Sequence, residues 1–192
     1  EFSVEYKERE VYAQLEKYLK RPQIIALTGL RRTGKSTLMM KIVQDYVKKG
    51  FSQKNIVYFS LDEFKETAIM AVLEEYAMLM EKNLGGEEYL VLLDEVQKAS
   101  DWENQVKTIY DLHKNNIKII VSGSESLFLR KKARETLAGR IYEFKVETLS
   151  FREFLDFKNN GLGPFGLGAV IMSLFIPLGL TLAIWIHYKA KT

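Results

Sequence analysis

Cysteine is absent from this 192-residue chain, which excludes disulfides and thiolate metal sites and suits a reducing, cytoplasmic setting. Histidine is nearly absent: His113 and His187 stand alone without paired spacing, so a histidine metal centre is not expected. Net charge is small, +3 in all, and Lys189 and Lys191 near the end supply most of it. Electrostatics therefore give no general reason to expect a nucleic-acid partner. Residues 1–20 lack a continuous apolar run, so no secretory signal is expected there. The longest stretch without charge of either sign lies between Lys158 and Lys189. What remains has the apolar and charged content of an ordinary folded protein with one good core.

Periodicity divides the first part of the chain into alternating elements. Residues 5–20 place Val11, Leu15, Tyr18 and Leu19 at helical spacing. Gln23 to Thr28 is a short β-branched run without that period, as are Asn55 to Ser60, Ile117 to Val121 and Ile141 to Val146. Tyr89 to Leu93 (YLVLL) is apolar throughout, the pattern of a strand buried on both faces. Helices are expected at Lys35–Lys49, Thr67–Asn83, 101–114 and 125–138, with a last one opened by Ser150 and its capping partner Glu153. Strands alternating with helices predict an α/β fold, a parallel sheet flanked by helices.

Gly29-Leu30-Arg31-Arg32-Thr33-Gly34-Lys35-Ser36 fits G-x-x-x-x-G-K-[ST] and lies between a strand and a helix, the context that gives the pattern meaning. The glycines let backbone amides wrap phosphates, and the helix dipole adds positive potential. Lys35 is expected on the β- and γ-phosphates, Ser36 on Mg²⁺, with Arg32, Thr33 and Thr37 contributing to nucleotide binding. LVLLDE, residues 90–95, ends a hydrophobic strand in two acids. Asp94 is the expected metal-side acid and Glu95 the expected base for the attacking water. Ser122 and Ser124, after the fourth strand, are candidates for sensing the γ-phosphate; equally, they suit an ordinary turn. Arg140 reads as an arginine that stabilises transition-state charge on a neighbouring subunit's nucleotide, with a surface ion pair as the alternative. The basic run Arg130-Lys131-Lys132-Ala133-Arg134 has no interleaved aromatics and reads first as a solvated helix face, with nucleic acid the weaker option.

Taken in order, GLRRTGKST, LLDEVQ, W-E-N, VSGSES, LAGR and LSFREF resemble the AAA+ P-loop ATPases of archaea and bacteria, over about residues 5–158. The resemblance implies an AAA+-like core sheet, ATP with Mg²⁺, and a segment near adenine at Glu8-Arg9-Glu10. It also implies self-association or a protein partner, with Arg140 acting in trans. No N-K-x-D guanine box is present, in keeping with ATP. Cores of this type are usually followed by a small helical lid and further C-terminal domains. Here the chain turns apolar instead.

Domain 1–158 is thus expected to bind nucleotide, and 159–192 to form a linker and a C-terminal apolar helix. Leu162 to Ile186, about 25 residues, is long enough to cross a hydrocarbon core of ~30 Å, with Trp185, Tyr188 and Lys189 as interfacial anchors. A buried core helix is the alternative. Two rivals to an ATPase stand beside it: a nucleotide-held switch without turnover, and a nucleic-acid-associated ATPase.

Overall fold

A computed structural model of the chain describes residues 6–62, 68–126 and 131–159, in two units, Glu1–Thr148 and Leu149–Thr192. In the first unit the β-branched runs become strands: β1 Ile24–Thr28, β2 Ile56–Ser60, β3 Tyr89–Asp94, β4 Ile117–Gly123 and β5 Ile141–Lys145. They form one sheet in the order β2-β3-β4-β1-β5, and every pairing is parallel. The periodic segments become α1 Glu10–Leu19, α2 Lys35–Lys48, α3 Ile69–Leu79, α4 Trp102–His113 and α5 Lys131–Thr136.

Helices cover both sheet faces, which is why β1 and β3 are buried at every position. On one face Ala26, Val91 and Val121 pack with Leu73 of α3 and Trp102, Val106 and Ile109 of α4. On the other, Leu27, Leu92 and Ile120 pack with Tyr12 and Leu15 of α1 and Leu38, Met39 and Ile42 of α2. α1 begins at Glu10, later than its periodicity predicts, and Arg9 precedes it in extended conformation. α3 and α5 are also shorter than expected; residues 63–67 and 127–130 beside them lie outside the described residues.

The second unit contributes α6, Phe151–Asn159. Its capping box forms as expected: the Glu153 amide donates to Ser150 Oγ at 3.2 Å, and the Ser150 amide donates to Glu153 Oε2 at 2.9 Å. The expected apolar helix at 162–186 lies outside the described residues. Among the described residues no helix is long and apolar enough to cross a membrane.

Because all five strands run the same way, the segments after β1, β3 and β4 emerge at one edge of the sheet. That edge is where ligands bind open parallel sheets.

Candidate functional site

The loop leaving β1 turns sharply at Gly29, whose φ is +152°. A Cβ there would stand 2.3 Å from the Val146 carbonyl oxygen, so only glycine lets the loop pass β5. The strand end is fastened at the same point, since the Val146 amide donates to the Thr28 carbonyl at 2.6 Å. Gly34, at φ +98°, ends the loop as the residue before α2. Between them Lys35 Nζ donates to the carbonyls of Gly29 at 3.1 Å and Leu30 at 2.8 Å. Its charge is therefore held within the curve of the loop. Thr33 Oγ1 donates back to the Leu30 carbonyl at 3.0 Å, so this side chain shapes the loop.

Arg9 braces the loop from behind. Its buried guanidinium donates to the Thr33 carbonyl at 2.8 Å and to the Glu147 carbonyl at 2.8 Å. The expectation placed Arg9 near adenine; these contacts tie it to the loop backbone.

Asp94 ends β3, and β4 lies between β3 and β1. Ser36 crosses that gap, its hydroxyl donating to Asp94 Oδ2 at 2.7 Å. Tyr58 of β2 donates to the same oxygen at 2.7 Å, and the Ser122 hydroxyl donates to Oδ1. The Glu95 amide also reaches Oδ1, at 3.1 Å. Burial alone would raise the Asp94 carboxyl, but the bonds from Ser122, Ser36, Tyr58 and the Glu95 amide outweigh it and hold the group below its usual value. For Tyr58, burial comes first and the Asp94 bond second; both push the phenol upward, so it stays a donor. Asp94 is thus a buried, ionised carboxylate held by four donors.

Glu95 has left-handed backbone, φ 53°, and its amide also donates to Ser122 Oγ at 3.1 Å. Together with Arg31, Arg32, Lys35, Ser36 and Thr37 it lines a cleft of about 660 Å³, a size that accommodates a nucleotide. The donors suit a hard cation, a serine hydroxyl beside a carboxylate. Among the described residues no cluster of three or more His, Cys, Asp or Glu could hold a metal alone. A Mg²⁺ here would complete its shell from phosphate and water oxygens, its usual habit.

Two expected site residues have other partners in the structure. Ser124 is paired with Ser126, their hydroxyls 3.0 Å apart, whereas Ser122 is the serine that meets Asp94. Arg140 precedes β5 and its carbonyl accepts from Ile24, which opens β1, so it sits at the opposite sheet edge from the phosphate loop. Its guanidinium grips Asp111 of α4, Nε to Oδ1 at 2.8 Å. Tyr58 was not foreseen: in the sequence it is one more aromatic in a strand, and only strand order reveals what it reaches.

A parallel sheet with a glycine loop between β1 and α2, and an acid at the end of β3, defines a P-loop nucleotide-binding domain. A family model described as "AAA domain" matches residues 21–155, and the chain belongs to that family. Its relatives include an uncharacterized protein of Methanocaldococcus jannaschii, 34% identical over 151 residues, 77% of this chain and 31% of that protein. Another is an uncharacterized protein of Haemophilus influenzae, 31% identical over 138 residues, 71% of this chain and 34% of that one. A second Methanocaldococcus jannaschii protein is 28% identical over 142 residues. The aligned chain spans about a third of the length of these curated relatives. Family membership implies nucleotide binding.

Proposed function

We propose that the chain is an ATPase core that hydrolyses ATP with Mg²⁺. The observation that carries this reading is the Ser36–Asp94 bond, which joins the loop to a buried ionised carboxylate, with Glu95 facing the same cleft. Loop amides and Lys35 would bind the β- and γ-phosphates. Ser36 and Asp94 would hold Mg²⁺, which when bound neutralises phosphate charge. Glu95 would accept a proton from water as the water oxygen attacks the γ-phosphorus. The bond from that phosphorus to the bridging oxygen breaks, and ADP leaves with the bridging oxygen. Residues 1–158 would serve as the nucleotide-binding domain, a boundary supported by a family match that runs into α6.

The test is Glu95→Gln in the full chain. It should keep Mg·ATP affinity within about threefold while turnover falls by about two orders of magnitude or more, the contribution of a positioned base. Binding by calorimetry and phosphate release measure the two. Affinity without turnover in the unaltered chain would select the switch reading. Normal turnover in Glu95→Gln would place the base elsewhere.

A further inference from the structure

The turn after β3 contains a side chain that the proposed chemistry leaves unused. Val96–Lys98 forms one turn of 3-10 helix, closed by the Lys98 amide on the Glu95 carbonyl at 3.0 Å and pinned by the fully buried Val96. From this turn Gln97 Nε2 donates to Glu95 Oε2 at 2.5 Å. The amide can take only that orientation, since its carbonyl oxygen against a carboxylate oxygen would be repelled. Gln97 Oε1 is then left buried with no hydrogen-bond partner among the described residues.

An unmet buried acceptor is unfavourable, and an apolar side chain of similar shape would avoid it. Stability of the turn is therefore a poor reason for glutamine here. Its effect on Glu95 is a better one. The Glu95 backbone is fixed by two bonds from its amide, to Asp94 Oδ1 and to Ser122 Oγ, but a glutamate side chain still has three rotatable bonds. Gln97 ties one carboxylate oxygen and leaves Oε1 of Glu95 to meet water.

We propose that Gln97 is a positioning residue, holding the Glu95 carboxylate in the orientation from which it takes a proton from the attacking water. This rests on the reading of Glu95 as the base. The test substitutes Gln97→Met, which keeps the length and removes the amide, in the full chain and again in Glu95→Gln. Steady-state phosphate release gives kcat and KM, calorimetry the Mg·ATP affinity, and thermal unfolding the Tm. Gln97→Met should lower kcat by about 10- to 50-fold, part of what a positioned base contributes, with KM and affinity nearly unchanged. Its Tm should equal or exceed that of the unaltered chain. In the Glu95→Gln background the same change should lower kcat no further, because the group it positions is gone. An unaltered kcat in Gln97→Met, or an equal loss in both backgrounds, overturns the proposal. If Glu95→Gln loses turnover and Gln97→Met does not, only the role of Gln97 fails. If Glu95→Gln turns over normally, or the unaltered chain does not turn over, the base reading fails and this one with it.

Discussion

Lys35 and Asp94 carry opposite charges at one edge of the sheet, yet no bond joins them. Lys35 is satisfied by two loop carbonyls, and Asp94 by hydroxyls from three different elements and one amide. Each charge is thus held separately, the arrangement needed if a phosphate and its cation are to come between. Lys35→Ala removes the charge proposed to meet the phosphates, and charge-assisted bonds of this kind are worth about 1.5–3 kcal/mol each. The Kd for Mg·ATP should rise at least about 30-fold by calorimetry, and an unchanged Kd would count against the phosphate-loop assignment. At this scale the sequence is read well where a spacing rule exists. Gly29, Gly34, Lys35 and Ser36 follow a fixed spacing because one loop must wrap one phosphate chain. Tyr58 and Gln97 follow no such rule, since what they touch is set by strand order and by a single turn.

Among the elements, strands were the more legible, because an apolar run covered on both faces leaves little choice of conformation. Tyr89–Leu93 and Ile141–Val146 match β3 and β5 to within a residue. Helix ends were less so. Val11 and Tyr18 marked the face of α1, but the helix also buries Tyr12, whose hydroxyl bonds Asp45 of α2 and can therefore lie inward. The order β2-β3-β4-β1-β5 cannot be had from periodicity, which says that strands exist and not which are neighbours. One element contact makes a pH prediction. Lys118 of β4 donates from Nζ to the carbonyls of Tyr18 at 3.2 Å, Arg21 at 2.8 Å and Gln23 at 2.6 Å, tying β4 to the end of α1 and the segment after it. Burial lowers this lysine to about 7. Unfolded, it would titrate near 10.4, so between these values the unfolded chain holds more protons and stability rises with pH. Relative to Lys118→Met, the chain should gain stability as the pH rises from 7 to 9. Urea unfolding of both chains at several pH values measures this. A difference that does not change with pH would contradict it.

For the whole molecule, Arg140 and the phosphate loop occupy opposite ends of β1, a strand of five residues, roughly 16 Å at 3.3 Å each. Arg140 is thus remote from its own cleft, so any part it takes in turnover would be on the nucleotide of a second copy. Mixing Arg140→Ala with Glu95→Gln chains should restore part of the lost turnover, because one mixed interface pairs an intact arginine with an intact base. No rescue, or strictly monomeric sedimentation with Mg·ATP, would count against action in trans. The Asp111 grip on Arg140 would then be its whole role.

Arg9 has a mechanical consequence. One guanidinium fastens both the phosphate loop, at Thr33, and the strand of chain leaving β5, at Glu147, just before the covalent path continues into the second unit. The Val146–Thr28 bond is a second fastener in parallel with the first. Tension on the downstream chain would meet these two bonds first, one leading through Arg9 to the loop at Thr33, beside Gly34, and the other to Thr28 at the end of β1. Conversely, a loop that tightens around phosphate would shorten the slack in the exit. Loop and exit thus meet at a single side chain, Arg9.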